Sequence, residues 1–219
     1  GHQAGYANVD SYNTLVGHQS GMHTGHAAAN TAIGYRAYSS SSFTNGTCDL
    51  NGSTTVTCDS NTDIRVGQSV TGSGIPYGTY VSAVNDSTGV TSFTLSIAAT
   101  TTANNQTLTF YQGTGDSNTC IGYQTGEDLT AGHSNVLIGR EAGKDFISNY
   151  YNTVVGAYAL DAANGTEHYN VAVGAFALTT ETTGADYCTA VGYNALGNQN
   201  GNVKNTAIGG LAGDAITSG

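Results

Sequence analysis

The chain has 219 residues, with 31 Gly, one Pro, no Trp and only 9% charged side chains. Five basic against fifteen acidic residues give a net charge of −10, which leaves no basic patch for nucleic-acid phosphates and disfavours an anionic membrane surface. Fourteen Tyr and many β-branched residues set the chain apart from disordered ones and point to a β-rich fold with many tight turns. No apolar run approaches the length of a spanning helix, so membrane insertion is not expected. The chain opens on GHQAG without Met and is expected to be a piece of something longer.

From the N-terminus onward the sequence repeats itself. GHQAG is the tail of one copy, and full copies begin at Asn13 (NTLVGHQSG) and Asn30 (NTAIGYRAY). After a stretch of different texture they resume at Asn118 (NTCIGYQTG), Asn135 (NVLIGREAG), Asn152 (NTVVGAYAL), Asn170 (NVAVGAFAL), Cys188 (CTAVGYNAL) and Asn205 (NTAIGGLAG). The shared glycines are Gly1, Gly17, Gly34, Gly122, Gly139, Gly156, Gly174, Gly192 and Gly209. All but one of their spacings are 16–18 residues. Such a period is too short for a helical repeat and fits two short strands and two turns, each copy forming one turn of a stacked β-coil. The predicted architecture is all-β: a β-roll or β-solenoid in segments 1–38 and 113–219, interrupted by an inserted β domain over 39–112.

Alternation assigns two faces to each strand. One carries Val16, Ile33, Ile138, Val155, Val173, Val191 and Ile208; the other carries Leu15, Ala32, Cys120, Leu137, Val154, Ala172, Ala190 and Ala207. Both are apolar, yet a narrow coil has one interior. The second face is therefore expected to meet another chain, with its Ala residues allowing close approach at a shared axis of a symmetric oligomer. The Asn column (Asn13, Asn30, Asn118, Asn135, Asn152, Asn170 and Asn205) is expected to bond its own turn or form a ladder. The repeated Gly marks a positive-φ turn or a close backbone contact.

In the interruption, short β-branched runs alternate with turn signals. Five strands are predicted, Thr54–Cys58, Ile64–Val70, Thr79–Val84, Ser92–Ile97 and Thr107–Tyr111, forming a small antiparallel sandwich or barrel that projects from the coil. Cys48 and Cys58 are disulfide candidates in an oxidising compartment, with two unpaired thiols as the other reading. Cys120 and Cys188 read as packed thiols.

The repeat units resemble the head repeats of trimeric autotransporter adhesins, with their AIG units, and more closely the NTAIGYQAL arrays of bacteriophage tail fibres. The resemblance covers residues 1–38 and 113–219. It implies a homotrimer and a fibre, with no catalysis and no cofactor. VGQSVTGSGIPYGTYVSAV looks like a small β module common in phage structural proteins. The expected role is a structural segment of a phage tail fibre on the virion, serving attachment to a host-surface glycan or protein. The alternative is a subunit of a non-viral extracellular filament or bacterial surface adhesin.

His2 and His18 share a repeat position, and His23 and His26 lie close in sequence; in a trimer an axial His would recur three times, but stacking is the commoner fate. GSGIPYG lacks the Lys of a phosphate loop and no nucleophile elbow is present. The carboxylates are scattered, so no metal site, catalytic pair or depolymerase site is selected. Tyr35, Tyr123, Tyr158, Phe176 and Tyr193 form a column that can bind a ligand or pack on neighbouring coils, and Tyr77, Tyr80, Phe93 and Tyr111 pose the same choice in the insert. Sequons at Asn45, Asn51, Asn85, Asn105 and Asn164 are ordinary in so Asn/Ser/Thr-rich a chain.

Overall fold

The structure is a computed structural model of the whole chain, described here except at residues 7, 9, 23, 26, 41, 86–87, 164–166, 183, 202–203 and 218–219. It is all-β, with fourteen strands in two sheets among the described residues.

The repeats form a β-solenoid. Its strands are β1 (Thr14–Val16), β2 (Thr31–Ile33), β9 (Thr119–Ile121), β10 (Val136–Ile138), β11 (Thr153–Val155), β12 (Val171–Val173), β13 (Thr189–Val191) and β14 (Thr206–Ile208). They pair in that order as one parallel eight-stranded sheet. Register is strict, Thr153 opposite Val171 and Val155 opposite Val173. β2 pairs directly with β9, Thr31 to Thr119 and Ile33 to Ile121, so the insertion leaves the stacking phase intact.

Each turn of the coil holds one three-residue strand rather than the two predicted. The opposite side is built from left-handed turns that are themselves bonded coil to coil. The second residue after each repeat Gly has positive φ, from Gln19 and Arg36 through Tyr158, Phe176 and Leu211. Its N–H still donates to the previous coil, as in Tyr158 N to Arg140 O at 2.9 Å and Phe176 N to Ala157 O at 3.0 Å. Left-handed residues shorten the path between corners while keeping every amide aligned with the stack, which an L-residue strand of that length cannot do. The repeat Gly is required outright. Gly156 has φ 145°, and a Cβ there would lie 2.4 Å from the Gly174 carbonyl oxygen.

The coil interior is narrow and dry. Ala32, Cys120, Leu137, Val154, Ala172 and Ala190 are fully buried and meet Ala37, Ala142, Ala159, Ala177 and Ala195 from the facing turn, with Leu129, Phe146, Leu160, Leu178 and Leu196 filling the wider end. This corrects the expected face assignment: the Ala-rich row lies inside its own coil, not against another chain.

The insert comprises β3 (Ser42–Asn51), β4 (Thr55–Asn61), β5 (Ser69–Thr71), β6 (Val81–Val84), β7 (Val90–Leu95) and β8 (Thr102–Tyr111). They form an antiparallel sheet in the order β5-β8-β3-β4-β7-β6. A bridge between Ser69 and Tyr80 brings the two edges together, curling the sheet around its own core of Leu50, Val56, Ile64, Val70, Phe93, Leu95, Leu108 and Phe110. β3 is the strand absent from the five predicted. It shifts register against β8 just after Asn45, as a bulge does. The run Ile64–Val70 is not one strand; Gly67, at φ 93°, turns the chain before β5.

Candidate functional site on the outer face of the coil

With the Ala row inside, each strand turns its first and third residues outward. The first column is Thr14, Thr31, Thr119, Val136, Thr153, Val171, Thr189 and Thr206; the second is Val16, Ile33, Ile121, Ile138, Val155, Val173, Val191 and Ile208. No member of the second column is buried: Val16 is 54% exposed and Ile208 72%, with the middle coils half-buried by their neighbours. Neither column contains a charged residue. The result is a regular β-branched face running the length of the coil and uncovered by its own chain.

Aromatic groups border this face. His2 stacks on His18 at 5.2 Å, His18 on Tyr35 at 5.5 Å, and Tyr35 on Tyr123 at 5.2 Å. The Arg140 guanidinium then bridges Tyr123 and Tyr158, 5.6 and 5.3 Å from their ring centres, and Tyr158 stacks on Phe176. Along the other border Tyr151, Tyr169 and Tyr187 stack at 5.4 and 4.9 Å, next to a His133–Tyr150–His168 column. Thus His2 and His18 serve as stacking partners, and the aromatic column both packs along the coil and keeps an exposed edge. His23 and His26 lie outside the described residues. In the insert, Phe93 and Tyr111 are buried, whereas Tyr77 is 82% exposed at a turn.

The Asn column is a buried ladder that sets the corner before each strand. The Asn30, Asn118, Asn135, Asn152 and Asn170 amide N–H groups each donate to the side-chain oxygen of the preceding Asn, at 2.8–3.1 Å. Each side-chain NH₂ donates across the corner to a backbone carbonyl, as Asn118 does to Gly132 and Asn170 to Ala185. Cys188 takes the Asn position one coil later, and its backbone N–H donates to Asn170 Oδ1 at 2.8 Å. The missing carboxamide is supplied by buried Gln199, whose Nε2 contacts Cys188 Sγ and whose Oε1 accepts from Asn205. Nothing in the repeat pattern pointed to Gln199.

No disulfide joins any of the four cysteines, which corrects the Cys48–Cys58 pairing. Both are thiols on the core side of neighbouring strands, with Sγ directed at the Asn45 and Val90 carbonyls respectively. Burial pushes the Cys48 thiol up to about 12, with Cys58 and Asp49 adding to it. Of the sequons, Asn45 is buried with its carboxamide oxygen bonded to Thr47, and Asn164 lies outside the described residues.

Among the described residues no three His, Cys, Asp or Glu side chains converge as a metal-ligand set, and no helix is long and apolar enough to cross a membrane. No protein-family model matches the chain, and neither a curated protein nor a solved structure matches it. The functional reading therefore rests on the fold and on the chemistry of its surfaces.

Proposed function

We propose that the chain is a structural segment of an extracellular fibre, of the phage tail-fibre kind, in which three copies mate through their outer faces and serve attachment to a host surface. One observation carries this: an uncharged Thr/Val and Ile/Val face extends over all eight strands and its own chain leaves it open. Burying the exposed half of a Val or Ile gains on the order of 1 kcal/mol. Eight such residues per chain, with their aromatic borders, compete with the roughly 4–15 kcal/mol cost of association. A lone molecule exposing a regular β-branched face of this extent is an aggregation hazard; closed symmetry removes it. The same face would serve a bacterial filament or adhesin, and the sequences flanking this segment in its parent protein distinguish the two.

Deleting residues 41–112 tests the attachment role. Because β2 and β9 already pair in register, the shortened chain is expected to keep a β-rich circular dichroism spectrum and its oligomeric state. Adhesion to host cells is expected to vanish if recognition resides in the insert. Unchanged adhesion would place recognition on the coil itself.

A further inference from the structure

The insert does not lie flush on the coil. A cleft of about 810 Å³ separates the two, lined on the insert side by Asp63, Arg65, Val66 and Gln68 and on the coil side by Asp128, Thr130, Asp145 and Ile147. Clefts between two bodies, within roughly 300–1,000 Å³, are where ligand sites most often occur. The lining narrows the ligand. Three carboxylates against one guanidinium disfavour a phosphate, a sulfate or an acidic glycan. The exposed apolar groups, chiefly Val66 and Ile147, are too few for an apolar ligand but suit the C–H face of a ring. The insert's edge strands meet at the Ser69–Tyr80 bridge, which leaves no open edge beside the cleft for an extended peptide to add to. A carboxylate and a guanidinium on the insert wall, facing carboxylates and hydroxyls on the coil wall, match a ligand that offers hydroxyl donors and acceptors in every direction.

We infer that the cleft between insert and coil binds a neutral oligosaccharide, with Asp63 and Arg65 on one wall and Asp128 and Asp145 on the other holding its hydroxyls, and Val66 and Ile147 flanking its rings. This deepens the attachment reading by naming a ligand class, and it separates from assembly because none of these residues lies on the outer face. Asp128 and Asp145 bond to adjacent coils through their backbone N–H groups, and their carboxylates, close enough to act on each other, line the cleft beside Lys144.

The test is titration calorimetry of the full chain with cellohexaose, maltohexaose and N-acetylchitohexaose, alongside hexagalacturonate and pentalysine. Saturable binding of a neutral hexasaccharide is expected, weakened about tenfold or more by Asp63→Ala or Asp128→Ala, the loss typical of one charged hydrogen bond. Both sites are exposed, so circular dichroism should be unchanged. Tyr77→Ser, away from the cleft, should bind as the parent does. No saturation by any neutral sugar at millimolar concentration, preference for hexagalacturonate or pentalysine, or binding that survives both Asp variants would each overturn the inference. A chain that adheres to cells yet binds none of the sugars removes the cleft and leaves the attachment role standing.

Discussion

At the scale of single residues, the stack is held by side chains that serve two coils at once. Asn135, fully buried, accepts the Asn152 N–H at 3.0 Å and donates to the Asn149 carbonyl at 2.8 Å. Asn135→Ala leaves both groups unpaired in a dry corner, at about 1–3 kcal/mol each. A loss of roughly 2–5 kcal/mol in denaturant unfolding is expected; less than about 1 kcal/mol would mean water or a neighbour replaces the carboxamide. Titratable groups set a pH profile. Burial raises Glu127 and Asp161, and raises Asp128 with Asp145 adding to it. The folded chain thus holds protons that the unfolded chain has lost, and stability falls as pH rises from the carboxylate range toward neutrality. Burial lowers His168, whose Nδ1 accepts the Tyr150 N–H and so must be unprotonated. That contribution is present above the ordinary His value of 6.5 and is lost as pH falls through the lowered one. Thermal melts should decline as pH rises through the carboxylate range and recover toward the ordinary His value, and Asp161→Asn should flatten the decline. A melting temperature that climbs steadily to pH 8 would contradict the assignment. The Asn and Gly columns were legible in the sequence because they recur at one period. Gln199 was not, since it compensates a single departure, Cys188.

At the scale of the element, the repeat's alternation announced a strand but not its inside. Both outward and inward columns are apolar, and the larger residues lie outside, against the usual expectation. The interior is set by the narrow gap to the facing turn, where Ala142, Ala159, Ala177 and Ala195 form a second small-residue column. Two small columns at fixed offset in one repeat are the signal that they face each other. The second predicted strand failed for a related reason: an L-residue strand cannot turn so tightly, so residues such as Tyr158 and Leu160 adopt positive φ instead. In the insert, most strands were legible from β-branched runs, while β3, with polar residues through its middle and a register shift after Asn45, was not. The faces can be separated by two neighbouring substitutions. Ala172→Asp puts an unpaired carboxylate in the coil core and should abolish folding. Val173→Asp, one residue on but outside, should leave the β-rich spectrum intact. Equal damage by both would show that the outer column is also packed within the chain.

At the scale of the whole molecule, the coil gives length, the insert gives a lateral projection, and the outer face is left uncovered by its own chain. Coils contact mainly their neighbours, so stability accumulates turn by turn, and the insertion is tolerated because Ile33 and Ile121 close the gap it makes. The period made the stacked architecture readable from sequence; the number of chains was carried only by resemblance. The most direct measurement is therefore the mass of the intact particle in solution by multi-angle light scattering, for the parent chain and for Val155→Asp/Val173→Asp. The parent should give three times the 22.2 kDa chain mass, and the double variant one times, still folded by circular dichroism. A folded parent monomer, or a double variant that stays trimeric, would contradict assembly through the outer face.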